Sequence, residues 1–504
     1  MSESGALLLR NAEPTPFADV PVLSESGFRE FVIGAVAGGD RISALFGMPA
    51  GERVRLVAVL ARDSAGVLLV ASTEVSGSYA SITPECPQAH WFEREIAEQW
   101  GVVPKGHPWM KPIRFQRPVR PAPDPWRRNG NIFIGDTEFF RIEGDEIHEV
   151  AVGPVHAGVI EPGHFRFQCH GENVYHLEIS LGYQHRGVEK ALIGGPSART
   201  IPYMETLSGD TTIGHTTAYC HAFEALSGIE APVRAHAIRA IAMELERVAC
   251  HIGDIGALAH GVAFLPTAAY CGRIRGDALN LTALLCGSRF GRGLVRPGGV
   301  RFDLDREALA TLLKRLEGIV KDTTVAAKLF GEMPSVRARL EETGKVSRKT
   351  AEAIGLVGLA ARACGIDRDV RRDFPVGAYL TSDIPVSVHS SGDVFARGYV
   401  RWLELQNTFV FIRKLAEALP DGDLMTECRP LRAGHMVVSM VEGWRGEICH
   451  VAVTGEDGKF ALYKVVDPSF HNWFGLARAL TNQQISDFPI CNKSFGLSYC
   501  GHDL

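Results

Sequence analysis

The chain has 504 residues, of which 46% are hydrophobic and 22% charged, and a formal net charge of -5. That is enough apolar material for a large core and, by length, for two domains. The charge balance argues against nucleic-acid binding, because no overall basic field is present to hold phosphates.

The opening stretch, MSESGALLLRNAEP, has no basic segment before its short apolar run, so no secretory signal is expected. No apolar run approaches the roughly 18–20 residues needed to cross a bilayer. A soluble protein is expected, able to sit against a membrane protein. The 11 cysteines include no CxxC pair, and their odd number points to a reducing, cytoplasmic setting with free thiols. A four-cysteine iron–sulfur cluster within this chain is not expected.

Residues 1–117 read as a small α/β domain. Gly27–Val36 predicts a helix, and Val54–Leu60 and Val67–Val75 predict a hairpin around the Asp63–Gly66 turn. Gln88–Trp100 predicts a helix capped by Gly101, with Glu93 and Glu95 on a solvated face. Residues 118–130, PVRPAPDPWRRNG, read as a proline-rich linker. From 131 to 504 a larger domain is expected. It opens with strands Ile147–Val152, His164–Cys169 and Val174–Ile179, the last two joined by a hairpin turn. Pro232 then opens a long helix with one apolar stripe, from Ile238 to Ile255. Further helices are predicted at Leu279–Cys286, Glu307–Val320, Val325–Glu332, Lys349–Ala363 and Ala396–Leu419. Strands are predicted at His435–Val441, Gly446–Thr454 and Lys459–Val466. The fold class is α+β: a small α/β domain, then a large mainly helical domain with flanking β-structure.

Several stretches, in order, carry a family resemblance: WFEREIAEQWGVVPKGHPW, GPVHAGVIEPGHFRFQCHGENVYHLEISLGYQHRGVEKAL, GSRFGRGLVRPGG, GIDRDVRRDFP, VEGWRGEI and YKVVDPSFHNW. They resemble the large subunits of formate-hydrogenlyase-type (group 4) [NiFe]-hydrogenases and the D-type quinone-module subunit of respiratory complex I. The first domain resembles the C-type subunit of complex I, fused ahead. The resemblance covers nearly the whole chain. It implies an iron–sulfur small subunit as partner, together with antiporter-like and other membrane-arm subunits on the cytoplasmic face of the inner membrane. Electron transfer would then be coupled to ion translocation. Any NADH would be handled by another subunit, since no GxGxxG loop follows a strand here.

The family's site residues carry over unevenly. A nickel–iron centre is held by two CxxC pairs, because soft metals take thiolates. The first pair falls on Ser208 and Thr211, in ETLSGDTTIGHTTAYCHAFE. The second is expected within FPICNKSFGLSYC, with Cys491 as a remnant and Ser494 three residues on. Nickel–iron and hydrogen activation are therefore not expected. Glu161 resembles the family's proton-transfer glutamate, and His164 its quinone-headgroup histidine. The family's quinone tyrosine is missing, with Gly209 and Asp210 in its place, so a quinone remains an occupant that the resemblance allows but only half supports. His215 is a further residue for such a cavity. Arg445 resembles the arginine over the metal centre and is expected to pair with Asp210. The Arg289, Arg292, Arg296 and Arg301 turn reads first as a solvated turn, and second as a docking patch for an acidic partner. A scaffold that only holds its partners is the alternative reading of the whole chain, and a true [NiFe]-hydrogenase large subunit with atypical ligands is the third.

Overall fold

The computed structural model describes residues 5–128, 131–156 and 160–504. The protein is α+β. Near the N-terminus, strands Leu7–Leu9, Val67–Val75, Arg53–Arg62 and Arg41–Ala50 lie side by side in that order, and Val22–Leu23 joins Val67–Val75 in parallel. The predicted hairpin is present, but the strand beside it, Arg41–Ala50, was not read from the sequence.

The helix His90–Trp100 contradicts the solvated-face expectation. Glu93, Glu95 and Glu98 are all buried. Buried carboxylates must be paired, and each of these is. Glu93 takes both hydroxyls and backbone N–H groups from Ser81 to Thr83. Glu95 accepts from Lys464 at 2.7 Å and from Arg114 at 2.5 Å. Glu98 accepts the Arg114 backbone N–H at 2.8 Å. This helix is wedged between the N-terminal sheet and the C-terminal sheet.

The C-terminal sheet explains that wedge. Strands His435–Glu442, Glu447–Thr454 and Phe460–Val466 form an antiparallel meander, to which Thr15–Pro16 adds an edge strand. Side chains alternate along a strand. Met436, Val438, Met440, Cys449, Val451 and Val453 pack with the N-terminal core. Val437, Val441, Ile448, Ala452, Tyr463 and Val465 pack with the helices. Both faces are buried, so the strands read as continuous apolar runs. Charged residues tie the layers together as well: Arg114 donates to the His502 carbonyl at 2.9 Å.

The helical part centres on Val233–Gly261, with Leu265–Cys286, Arg306–Glu332 and Val394–Glu417 around it. Two expected helices merge into Arg306–Glu332, since no breaker interrupts them. The expected Lys349–Ala363 helix is instead Arg348–Ala353 and Gly358–Arg362, parted at Gly355. The three strands Ile147–Val152, His164–His170 and Asn173–Ser180 form a separate antiparallel sheet. In the loop before His164, residues 157–159 lie outside the described residues, as do 129 and 130 at the end of the expected linker. No helix among the described residues is long and apolar enough to cross a membrane.

Candidate functional site

The site is built where the turn Ser208–Thr211 leads into the helix Thr212–Ser227. A helix start leaves free backbone N–H groups. Here the Glu246 carboxylate, from the long helix, accepts from Ile213 and Gly214 at 2.7 and 3.2 Å. Burial pushes the Glu246 carboxyl up to about 8, against the pull of those two bonds.

Ser208 and Thr211 are buried, and they face the C-terminal end of the chain. Ser208 Oγ lies 2.9 Å from Ser498 Oγ and 3.2 Å from Asp210 Oδ1. Thr211 Oγ1 is 3.3 Å from the same carboxylate oxygen. Ser498 caps the last helix, accepting the Gly501 N–H at 2.9 Å. Ser498 thus stands opposite Ser208, and Gly501 follows Ser498 at the spacing that separates Thr211 from Ser208.

This corrects the sequence expectation for the second pair. Cys491 and Ser494 are not brought to the cluster. Cys491 is buried against Gly344 and Arg397, and Ser494 Oγ accepts from Arg397 at 2.7 Å. Nothing in the chain itself signalled that Ser498, rather than Cys491 or Ser494, would meet Ser208.

The structure brings Arg445 and Asp210 together as a two-pronged pair, Nη1 to Oδ1 at 2.6 Å and Nη2 to Oδ2 at 2.9 Å. Arg445 also reaches Thr211 Oγ1 at 3.2 Å, donates to the Gly496 carbonyl and stacks on Trp444. Burial would raise the Asp210 carboxyl, but the Arg445 charge and its bonds outweigh that and hold it below the ordinary range. The Asp210 side chain is 34% exposed. It lines a groove of about 760 Å³ between the helices Val233–Gly261 and Leu265–Cys286, with Trp444 and Cys250 beside it.

A buried charge network holds the Arg445 turn. Arg247 donates to the carbonyls of Glu442 and Gly443 at 2.7 and 3.2 Å. Arg362 joins Glu404 to Glu442, and Arg371 joins Asp369 to Glu244. His251 donates to Glu404 at 2.8 Å and meets Trp444 edge-on. Arg296, in the arginine-rich turn, bonds Glu205 at 2.9 Å.

Glu161 lies on the other side of the hydroxyl cluster, half-buried against the Cys500 thiol. Burial, and then the Glu161 charge, push that thiol up to about 11, so it keeps its proton. Cys500 Sγ is 3.4 Å from Ser498 Oγ. His164, by contrast, has both ring nitrogens engaged: Nδ1 with the Gly153 carbonyl at 3.3 Å, and Nε2 with Arg166 at 3.4 Å. His215 does not face a cavity either. It is fully buried, with Nε2 on Asp467 Oδ2 at 3.0 Å and Nδ1 on His450 Nε2 at 3.1 Å. His450 in turn meets the Tyr463 hydroxyl at 3.0 Å. Asp467 and His450 were not singled out from the sequence.

Comparisons with known proteins match this arrangement to one group. The family model of the respiratory-chain NADH dehydrogenase 49 Kd subunit matches residues 262–434, and that of the 30 Kd subunit matches residues 28–131. The carbon monoxide-induced hydrogenase of Rhodospirillum rubrum is 30% identical over 351 residues, which is 69% of this chain and 96% of that protein. The D-type subunit of NADH-quinone oxidoreductase from Clostridium beijerinckii is 30% identical over 339 residues, 66% of this chain and 91% of that one. Formate hydrogenlyase subunit 5 of Escherichia coli is 29% identical over 441 residues, 84% of this chain and 76% of that one. The chain belongs to the family that unites the 49 Kd subunit of complex I with the large subunits of group 4 hydrogenases, and it carries a 30 Kd-type domain ahead.

A nickel–iron centre does not fit the donors that this member of the family presents. The Ser208 hydroxyl spends its proton on Ser498 Oγ in a direct 2.9 Å hydrogen bond, so both oxygens are neutral alcohols. Alcohols are poor ligands for such metals. At Gly501 no side chain can reach in: a Cβ there would stand 2.7 Å from the Asp467 carboxyl carbon. A quinone headgroup fares little better, with His164 engaged internally and Gly209 offering no donor.

Proposed function

We infer that the chain is one component of a membrane-associated, energy-converting oxidoreductase complex, acting without hydrogen activation of its own. Electrons would reach the complex through an iron–sulfur small subunit. Antiporter-like subunits of a membrane arm, at the cytoplasmic face of the inner membrane, would move the ions. The family membership supports the setting. The Ser208–Ser498 contact, with Arg445 clamped on Asp210 beside it, supports the change of chemistry. What remains at the site are groups that carry protons: a carboxylate at Glu161, a thiol, three hydroxyls and a second carboxylate.

The same contact favours a second reading. A cavity closed by direct hydrogen bonds could belong to a scaffold that keeps the fold to hold its partners. Replacing Glu161 by Gln separates the two. Lost turnover in an intact purified complex supports a working site, whereas full turnover supports the scaffold. Stoichiometric nickel together with hydrogen uptake would overturn both.

A further inference from the structure

The site has two sides. Glu161 stands on one, and Asp210 opens on the α-helical groove on the other. Three protic side chains join them. Cys500 lies against Glu161, Ser498 Oγ is 3.4 Å from Cys500 Sγ, Ser208 Oγ is 2.9 Å from Ser498 Oγ, and Asp210 Oδ1 is 3.2 Å from Ser208 Oγ. We propose that Ser208, Ser498 and Cys500 form a proton-carrying row from Asp210 to Glu161, and that Arg445 gates its entrance. This rests on the working-site reading given above.

The donors and acceptors set the direction. The Ser208 hydroxyl donates to Ser498 Oγ. The Ser498 hydroxyl is then free to turn to Cys500 Sγ, and the Cys500 thiol to the Glu161 carboxylate. All three donors point the same way. In one transfer a protonated Asp210 gives its carboxyl proton to Ser208 Oγ as the Ser208 proton passes to Ser498 Oγ. The Ser498 proton passes to Cys500 Sγ, and the thiol proton to the Glu161 carboxylate. Each intermediate centre loses one proton and gains one. Asp210 ends as a carboxylate and Glu161 as a carboxylic acid, and no electron moves.

Arg445 controls the first step. While its guanidinium holds both Asp210 oxygens, protonating Asp210 is uphill. When Arg445 turns away, Asp210 can take a proton from the groove. The hydroxyls at Ser208 and Ser498 are thus positioning and relay groups, and Asp210 is the entrance.

The test uses the purified complex in weak buffer, driven with reduced methyl viologen, with proton uptake followed by a pH-indicating dye in stopped flow. Ser208→Ala is expected to slow uptake by at least about tenfold with unchanged assembly, and Ser498→Ala to do the same. Ser208→Cys, which restores a protic group of similar size, is expected to recover the rate to within about threefold. Uptake at the wild-type rate in both alanine variants, with Glu161→Gln slow, overturns the row and spares the working-site reading. Uptake at the wild-type rate in Glu161→Gln as well overturns both.

Discussion

Ser208 Oγ and Ser498 Oγ, 290 residues apart in sequence, lie 2.9 Å from one another in the core of the large domain. That one contact joins the two ends of the domain at the place where related hydrogenases are expected to hold metal. It makes a hydrogen-bonded bridge there, and the expected behaviour of variants follows from what the bridge rests on.

The Arg445–Asp210 pair is the first of these supports. Arg445→Met leaves Asp210 charged without its cation and is expected to cost about 2 kcal/mol, less than a fully buried pair because Asp210 reaches solvent. Asp210→Asn in the same chain should recover part of that loss. A double-mutant cycle on urea unfolding midpoints measures the coupling, and additive single changes would contradict the pairing.

Glu246 makes stability depend on pH. Its ordinary value is 4.5, and in the folded chain burial raises it to about 8. Between those values the folded chain holds a proton that the unfolded chain releases, so its stabilising share is complete below pH 4.5 and is lost as pH rises through 8. Glu246→Gln should therefore flatten that slope. Relative to the wild type, the variant should gain a few degrees in unfolding temperature between about pH 5.5 and about 8.5.

Gly358 guards the Arg445 turn from behind. Its φ is +60°, and a Cβ there would stand 2.1 Å from Gly446 Cα. Gly358→Ala should push the turn Gly443–Gly446 outward and destabilise the chain by about 3 kcal/mol. Trp444 lies on that turn, so its fluorescence should shift to the red as the ring meets solvent. An unchanged spectrum and midpoint would show that the two glycines have room to spare.

The row Asp467–His215–His450–Tyr463 should respond unequally along its length. His215→Leu leaves the buried Asp467 carboxylate without its imidazole partner and is expected to cost about 3 kcal/mol. Tyr463→Phe removes only the terminal donor, at about 1 kcal/mol. Burial keeps His450 well below its ordinary range, so it is neutral and takes the tyrosine proton as an acceptor. Chemical unfolding of the two variants side by side measures the ranking, and a larger loss for Tyr463→Phe would reverse the direction assigned to the row.

Much of the fold was legible from local pattern. The apolar stripe from Ile238 to Ile255 set the central helix, and the hairpins around Asp63–Gly66 and Gly171 set their strands. The Arg445–Asp210 pair could be expected from the chain, because each partner sits in a motif with a family counterpart. The burial of Glu93 and Glu95 could not be read, since their partners, Lys464 and Arg114 among them, come from other layers.

By itself, the sequence determined that this chain belongs among the relatives of complex I and group 4 hydrogenases, and that it holds no CxxC pair. Both are properties of residue type and order. That Ser498, and not Cys491 or Ser494, meets Ser208 was decided only by tertiary structure. So was the engagement of His164 and His215 with partners inside the protein. The physical reason is common to all three. A hydrogen bond is made by atoms within about 3 Å in space, and the chain order of Ser208, Asp467 and Ser498 says nothing of that distance until both faces of the C-terminal sheet are covered.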